Sequence, residues 1–334
     1  MKYPVYFGTY SMQLFRGEFD SDSGCLSLRD SINIENPSYI VRKGEILYGV
    51  SETDTYQGIN GGSVFSVLIQ DNEQMELISI EATNGRHPCH LCIQDEYIFV
   101  SNYSEGTLSI FIKDKNGVIK PSNTSISHYG KSINPERQKQ AHIHFTAMSP
   151  DFQYLTVCDL GLDKVFAYNY QTDYGLTTSA EVIVCPPGSG PRHLIFSNSG
   201  KTMYVLAELS SFVLVFRIVD NKMKLVQEIS TLPNGFTEVN TTAAIHKSPL
   251  GDDIAVSNRG HDSIAIYRIK DDETLELSDR IMTGAVPRDF RYSPCGKWIL
   301  SANQEEDSVT IYQTNKTDKE VSRLEIPSPV CIAF

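Results

Sequence analysis

The feature that most constrains this fold is an internal repeat with a period of about 50 residues. Six stretches begin with an anchor residue and a short apolar run, at positions 37, 88, 143, 191, 242 and 287. Each continues as short runs rich in β-branched and aromatic residues, separated by turns and polar loops. No segment shows sustained helical periodicity. Spacings of 45 to 55 residues between anchors are typical of the four-stranded blades of a β-propeller.

The two ends of the chain supply a seventh copy. Pro329-Val330-Cys331-Ile332-Ala333-Phe334 repeats the first strand of the pattern, and Val5-Tyr6-Phe7-Gly8-Thr9-Tyr10 resembles Ile98-Phe99-Val100-Ser101-Asn102-Tyr103 within an internal copy. Joining the ends removes the open sheet edges that a linear array would leave. The sequence therefore predicts an all-β, seven-bladed β-propeller, a single domain spanning residues 1–334, closed by pairing of the N- and C-terminal segments in one blade.

Composition narrows the classes of partner. The net charge of −12 argues against binding of nucleic acid or of an anionic membrane surface, both of which favour a basic face. Residues 1–8 contain no apolar run of the signal-peptide kind, and no stretch approaches membrane-spanning length. The seven cysteines are odd in number and scattered, which suits reduced thiols. We therefore expect a cytoplasmic protein without a nucleic-acid or membrane partner.

The repeat also predicts which side chains meet at the central channel. In a propeller the innermost strand of each blade lines the axis, so equivalent positions form rings. The residue after each anchor gives a first ring: Ser38, Cys89, His144, Arg192, Ala243, Arg288 and Val330. The residue that follows the second strand gives a second ring: Tyr10, Glu52, Tyr103, Leu160, Glu208, Arg259 and Gln304. A purely structural repeat would place similar apolar residues in these slots, so their polar divergence indicates a site.

Several residues in these regions have a structural interpretation instead. The residues before the second ring in four blades favour bonding to backbone groups: Asn102, Asp159, Asn258 and Asn303. His90 and His193 sit one residue beyond the first ring, so strand alternation would turn them away from it, and His246 is more typical of a packed residue. Cys89 and Cys92 form a CxxC, but strand residues three apart face opposite ways, so we expect no metal site.

The ordered motifs resemble those of the seven-bladed propeller lactonases, which include bacterial propeller-type 6-phosphogluconolactonases and fungal 3-carboxy-cis,cis-muconate lactonizing enzymes. The resemblance covers essentially the whole chain. Its motifs include Gly8-Thr9-Tyr10, Asn36-Pro37-Ser38-Tyr39, Pro88-Cys89-His90-Leu91, His142-Ile143-His144, Gly190-Pro191-Arg192-His193, Glu208-Leu209, Asn258-Arg259-Gly260-His261-Asp262 and Pro287-Arg288-Asp289-Phe290. One departure is visible: Ala141 stands where the family usually has proline before the first histidine.

The resemblance implies a catalytic site made of His144, Arg192, Glu208 and Arg259, all members of the two rings. Lactone hydrolysis needs a base to deprotonate water, donors for the oxyanion and a proton for the leaving alkoxide. His144 and Glu208 are the candidate bases, and the arginines can bind a carboxylate or phosphate. No metal or organic cofactor is required.

Three hypotheses for function remain open from the sequence. The first is a hydrolase of an anionic sugar lactone, 6-phosphogluconolactone above all; the second is a cycloisomerase of muconate-type dicarboxylates; the third is a non-enzymatic propeller that binds a partner. For either enzyme we expect further substrate-binding residues at Glu52, Tyr103, His193 and Arg288. The exact lactone and the oligomeric state are left open.

Overall fold

The computed structural model describes residues 1–171, 175–219, 222–314 and 316–334 and is a seven-bladed β-propeller. Each blade is a four-stranded sheet, and the strand pairs are antiparallel. We number the blades from the first internal repeat, so that blade 7 contains both termini. Within the described residues, the one helical element is a single 3-10 turn, Gln304–Glu306. This architecture confirms the fold predicted from the repeat.

The strands of each blade follow the chain in order. Blade 1 contains Pro37–Lys43, Ile46–Ser51, Ser63–Ile69 and Met75–Ala82, with a small hairpin of Thr55–Tyr56 and Ile59–Asn60 inserted. Blade 2 contains Pro88–Gln94, Tyr97–Asn102, Thr107–Lys113 and Ile119–Ser127, and blade 3 contains Ile143–Met148, Tyr154–Asp159, Lys164–Gln171 and Gly175–Val184. Blade 4 contains Pro191–Phe196, Thr202–Ala207, Phe212–Val219 and Lys222–Ser230.

The remaining blades repeat the same order. Blade 5 contains Thr241–Lys247, Asp253–Arg259, Ser263–Ile269 and Leu275–Met282, and blade 6 contains Pro287–Tyr292, Trp298–Asn303, Ser308–Gln313 and Lys316–Glu325. Blade 7 contains Pro329–Ala333, Lys2–Thr9, Gln13–Asp20 and Leu26–Asn33. No helix among the described residues has the length and apolarity needed to cross a bilayer.

The chain divides into two compact units, Ile32–His193 and a second unit formed by Met1–Ser31 with Leu194–Phe334. In each unit the apolar faces of neighbouring sheets pack together. In the first unit, one cluster joins blades 1 and 2 and another joins blades 2 and 3. In the second unit, separate clusters join blades 4 and 5, blades 5 and 6, and blades 6 and 7. The core is thus a series of apolar layers between successive blades, as expected from alternating strands.

The closing blade depends on pairing between Lys2–Thr9 and Pro329–Ala333. The two strands are antiparallel, with Tyr6 opposite Ala333, Phe7 opposite Ile332 and Gly8 opposite Cys331. Ile332 is fully buried in the cluster between blades 6 and 7, together with Phe7 and Trp298. The predicted closure by the two termini is therefore confirmed.

Trp298, the single tryptophan of the chain, lies against blade 7. Its indole Nε1 donates a hydrogen bond of 2.9 Å to the carbonyl of Ser21, and its ring meets Phe19 edge-on at 6.2 Å. Gly24 has a φ of +75°, and a Cβ there would come within 2.5 Å of the indole. The tight turn of blade 7 therefore needs glycine both for its backbone conformation and for the approach of Trp298.

Each predicted first-ring residue in blades 1, 2, 3 and 6 coincides with a β-bulge. The strand register shifts between Pro37 and Tyr39, Pro88 and His90, Ile143 and Phe145, and Pro287 and Asp289. The residue skipped by each shift is the one directly after the anchor. A bulge changes the direction of a side chain and bends its strand. The first-ring positions are therefore the places where the side chains of these strands no longer alternate regularly between the two faces of the sheet.

A buried polar network links the first strands of blades 5, 6 and 7. His246 Nε2 lies 2.8 Å from Asp289 Oδ1, and Arg291 Nη1 lies 3.0 Å from His246 Nδ1. The Ile332 amide donates to Asp289 Oδ2 at 2.9 Å, and Arg291 Nε donates to the Ile332 carbonyl at 2.9 Å. Because the arginine can only donate, Nδ1 accepts and Nε2 carries the proton of a neutral imidazole. Both ring nitrogens of His246 therefore have hydrogen-bond partners. The residue is packed within the protein, as the sequence indicated.

Closure of blade 7 is tested by Ile332→Ala. Truncation of this fully buried side chain should lower the free energy of unfolding by about 2–5 kcal/mol, because it removes apolar contacts and leaves a cavity. The matched control Val321→Ala, at a side chain that is 43% exposed on blade 6, should change it by less than about 0.5 kcal/mol. Urea unfolding followed by Trp298 fluorescence measures both. Equal stability of the two variants would contradict the packing described for the closing strand.

The network at His246 predicts a dependence of stability on pH. Burial, followed by the charge of Arg291, lowers the pKa of His246 below its ordinary value. The unfolded chain then binds the proton more readily, so stability is complete above about pH 6.5 and declines as pH falls towards the folded pKa, by at most about 1.4 kcal/mol per pH unit. His246→Gln should reduce this slope in unfolding measurements between pH 7.5 and 5.5. The same substitution at the more exposed His87 serves as control; equal slopes in wild type and His246→Gln would refute the assignment.

Candidate active site

In the first unit, the candidate site centres on His144 in the first strand of blade 3. Its side chain is 5% exposed and occupies the bulge between Ile143 and Phe145. Two rings meet it edge-on, Tyr103 with centroids 5.7 Å away and His193 at 5.4 Å. The bulge thus places the imidazole between aromatic side chains that restrict its orientation.

Arg192 and His193 are the neighbouring residues of this candidate site in the same unit. Arg192 is 3% exposed and its Nη1 lies 2.9 Å from His193 Nε2, so the arginine donates and the histidine accepts at that nitrogen. Alternation predicted that His193 would turn away from the first ring, yet it contacts both Arg192 and His144. Alternation sets the direction in which a side chain leaves the strand. It does not prevent a long arginine side chain from bending back to the next residue in the chain. His193 therefore contacts two of the predicted catalytic residues.

His90 lies among aromatic side chains next to His193, with the two rings 6.0 Å apart. Its ring lies 4.0 Å from Phe145 and 4.2 Å from Tyr39, and its Nδ1 accepts a hydrogen bond of 3.3 Å from the amide of Thr146. The side chain is 2% exposed. His90 is therefore a packed residue of the aromatic cluster that includes Phe145 and Tyr39.

In the second unit, Glu208 and Arg259 form an ion pair. Arg259 Nη2 lies 3.2 Å from Glu208 Oε2, and the two side chains are only 15% and 4% exposed for Arg259 and Glu208 respectively. Arg259 Nη2 also donates to the carbonyl of Thr242 at 3.0 Å. Glu208 follows the second strand of blade 4, as the second ring predicts, whereas Arg259 is the last residue of the second strand of blade 5 and not the residue after it. A carboxylate this buried is stabilised by a cation, so the two residues are structurally interdependent.

Two further predicted substrate-binding residues, Arg288 and Glu52, have contacts within their own units. Arg288 Nη2 donates to the Tyr10 hydroxyl at 2.6 Å, and its guanidinium lies over that ring at 5.0 Å. In the first unit, Glu52 is half-buried after the second strand of blade 1, where its amide donates to the carbonyl of Asn36. Substrate-binding roles for Arg288 and Glu52 stay predictions.

The structure adds two residues that the sequence analysis did not place in the site, His142 and Arg137. The His142 ring stacks on Tyr103 at 4.4 Å with an interplanar angle of 16°, and its Nδ1 lies 2.9 Å from the carbonyl of Tyr103. Arg137 Nη2 donates to the Tyr103 hydroxyl at 3.1 Å. Both residues lie in the segment 128–142 that joins blades 2 and 3. The length of that segment was the available signal, since long connections often carry function.

The strand-end polar residues are structural. Asp159 Oδ1 accepts from the amides of His142 and Leu162, and its Oδ2 lies 2.7 Å from His128 Nδ1. Asn258 Nδ2 donates to the carbonyl of Thr231. Asn102 and Asn303 bond side-chain hydroxyls within their blades rather than backbone groups. These contacts confirm bonding to backbone groups for Asp159 and Asn258.

Cys89 and Cys92 have different surroundings. The Cys89 thiol lies 3.4 Å from the carbonyl of His144, whereas Cys92 packs against the apolar cluster between blades 2 and 3. Burial raises the pKa of the Cys92 thiol to about 11, so it is protonated at neutral pH. No group of three or more His, Cys, Asp or Glu side chains in the described part of the chain could hold a metal ion.

The side chains described above provide an imidazole that can act as a base, guanidinium groups that can donate hydrogen bonds, and a buried ion pair. Imidazole accepts a proton near neutral pH. Guanidinium groups bind carboxylate, phosphate or a developing oxyanion through their planar donors. The imidazole of His144 and the guanidinium of Arg192, both in the first unit, are groups suited to attack of water on an ester carbonyl.

Comparison with known proteins agrees with this chemistry. The model of the family described as "Lactonase, 7-bladed beta-propeller" matches residues 4–334. The 6-phosphogluconolactonase of Bacillus subtilis is 29% identical over 100% of this chain and 98% of its own. The structure of the periplasmic gluconolactonase of Pseudomonas aeruginosa has a TM-score of 0.93 and 30% identity, covering 99% of this chain and 98% of that one. A Lactobacillus plantarum protein has a TM-score of 0.90 and 28% identity, covering 99% of both chains. The chain therefore belongs to the lactonase family of seven-bladed β-propellers.

Proposed function

We propose that this protein hydrolyses an anionic sugar lactone, with 6-phosphogluconolactone as substrate and 6-phosphogluconate as product. The observation that carries the proposal is the buried His144 held edge-on by Tyr103 and His193, with Arg192 bonded to the latter. The relatives named for 6-phosphogluconolactone and gluconolactone hydrolysis support the same reaction class. We further propose that the protein acts as a single domain in the cytoplasm, although the Pseudomonas relative is named as periplasmic.

In the proposed reaction, His144 removes a proton from water as the oxygen attacks the lactone carbonyl. The carbonyl becomes a tetrahedral oxyanion, which an arginine stabilises by charge-assisted hydrogen bonds. The ring C–O bond then breaks, and the leaving alkoxide takes the proton from the imidazolium. One water is consumed and one carboxylic acid forms, so atoms and protons balance without a cofactor.

The structure favours His144 over Glu208 as the base. Glu208 lies 3.2 Å from the Arg259 guanidinium, and proton uptake by this carboxylate would break a buried ion pair. Removal of one partner from such a pair is costly because the other charge stays buried. We therefore assign Glu208 the role of positioning Arg259, and Arg259 and Arg192 the role of binding the anionic substrate and the oxyanion. The family resemblance assigns all four residues to one site.

The roles predict different kinetic effects. His144→Ala should lower kcat by roughly 100-fold or more if His144 is the general base. Arg192→Ala and Arg259→Ala should raise KM for 6-phosphogluconolactone more than for neutral gluconolactone, since the charge-assisted bond also forms in the ground state. Rates are measured above the spontaneous opening of each lactone, with the exposed Arg29→Ala as control.

Several outcomes would redirect the proposal. Full lactonase activity in all four alanine variants, with normal thermal unfolding, would place the chemistry elsewhere. Turnover of a muconate-type dicarboxylate but of no lactone would favour a cycloisomerase, and turnover of neither would favour a binding protein.

Glu208→Gln separates a base from a positioning residue. If Glu208 only holds Arg259, the amide keeps the shape and an acceptor oxygen, so kcat should fall much less than in His144→Ala. The pH dependence of kcat should keep its form, because the titrating base is unchanged. A loss equal to that of His144→Ala, with a changed pH profile, would assign Glu208 to proton transfer.

A further inference from the structure

One turn of blade 3 carries a phenylalanine where the equivalent turns of three other blades carry glycine. Phe152 lies nine residues after the anchor of its blade, and the same offset gives Gly200, Gly251 and Gly296 in blades 4, 5 and 6. In all four turns the amide at this position donates to a serine carbonyl three residues earlier, at 2.8 to 3.1 Å. The four turns therefore have the same backbone hydrogen bond, and Phe152 occupies a glycine position of the repeat.

The backbone of Phe152 is in the left-handed region. Its φ is +58°, and the three glycines have φ values of +71°, +88° and +72°. Glycine adopts this conformation without steric cost, whereas a residue with a bulky side chain is strained there. Phe152 is also 58% exposed, so burial of the ring does not compensate the strain. Because packing does not explain the residue, the strained and exposed ring indicates a function of its own.

The ring lines an open cavity of about 350 Å³, which we call the Phe152 cavity. This volume is within the range of small-molecule sites, about 300–1,000 Å³. All of its lining residues belong to the first unit. The turn that carries Phe152 follows Met148, at the opposite end of the first strand of blade 3 from His144. Four side-chain amides also line the cavity: Gln94, Gln153, Asn169 and Gln171.

Tyr170 and Asp95 hold the lining in place. The Tyr170 hydroxyl donates to Asp95 Oδ2 at 2.8 Å, which joins blade 3 to a turn of blade 2. The Tyr170 amide donates to the carbonyl of Gln153 at 2.8 Å, next to Phe152. The Tyr170 ring also meets Tyr97 edge-on, with centroids 6.2 Å apart. The cavity is thus formed before a ligand binds, which lowers the entropy cost of recognition.

The lining favours a neutral ligand with hydroxyl groups. Within the described part of the chain, no residue forms a hydrogen bond with any of the four side-chain amides, and each amide offers two donors and an acceptor oxygen. The described lining contains no lysine or arginine, and the net charge of the protein is −12. The cavity therefore does not suit an anion. A ligand with an apolar face for the ring and hydroxyls for the amides matches the lining.

From these observations we infer that the Phe152 cavity binds a neutral saccharide. A pyranose presents a face of C–H groups, and the negative face of an aromatic ring attracts them. Its hydroxyls donate and accept hydrogen bonds, as side-chain amides do, and Asp95 adds a carboxylate acceptor. This site is separate from the candidate active site and binds sugars that carry no phosphate. The inference does not depend on the proposed lactonase function.

The test measures sugar binding by saturation-transfer NMR and calorimetry, with glucose, N-acetylglucosamine, maltose and cellobiose as probes. Wild type should bind at least one of them, and Phe152→Gly should weaken that binding by about tenfold or more, because the variant removes the stacking surface. Phe152→Gly should not lower the melting temperature, because glycine relieves the left-handed strain. The control Val184→Ala removes a side chain that is 66% exposed on the same blade, and should leave the affinity for sugar unchanged.

Four outcomes would overturn the inference. They are binding of no sugar by wild type, equal affinity in wild type and Phe152→Gly, a lower melting temperature in Phe152→Gly, and binding of adenosine but of no sugar. Loss of sugar binding in His144→Ala would also overturn it, because the sugar would then occupy the candidate active site.

The same variants separate this inference from the proposed function. Phe152→Gly should leave kcat/KM for lactone hydrolysis unchanged. If wild type hydrolyses no lactone but binds sugar through Phe152, the lactonase proposal fails and the saccharide site stands. If wild type hydrolyses lactones and binds none of the four sugars, the saccharide site fails alone.

Discussion

The pairing of the first and last strands is the interaction on which this molecule depends. A chain of stacked blades has two exposed sheet edges, and each would leave backbone donors and acceptors open to other chains. Here Pro329–Ala333 hydrogen bonds to Lys2–Thr9, and the apolar residues of that pair complete a cluster with blade 6. Because this contact joins the most distant parts of the sequence, loop-closure entropy opposes it. Burial of Phe7, Ile332 and Trp298 offsets that cost.

The β-bulges give the regular propeller positions that can carry the polar side chains of a site. A strand with strict alternation would bury every second residue, so a polar residue after the anchor would have to fit the packing of its blade. A bulge releases one residue per first strand from that requirement, which allows His144 in blade 3 and Arg288 in blade 6 at positions where other blades have Ser38 or Cys89. Chemistry can therefore vary between blades while their apolar layers remain alike.

Much of this could be predicted because it depends on periodicity. The anchor spacing predicted seven blades, the terminal blade and the positions directly after the second strands, where Glu208 and Tyr103 lie. Contacts that depend on side-chain length or on irregular backbone could not be predicted. The approach of His193 to Arg192 and of Arg137 to Tyr103 are of this kind, because neither strand alternation nor the repeat specifies them.

The ion pair between Glu208 and Arg259 shows how stability and chemistry are connected at such a site. Glu208 is almost fully buried, and an isolated carboxylate in that position would be strongly destabilising. Arg259 provides the compensating positive charge. Because that charge interacts with the Glu208 carboxylate, it is less available to a substrate anion. A net charge of −12 adds a further repulsion towards any phosphorylated ligand. Recognition of an anion by an acidic protein therefore depends on cations that lie close to the ligand, where the local attraction exceeds the screened repulsion of the net charge.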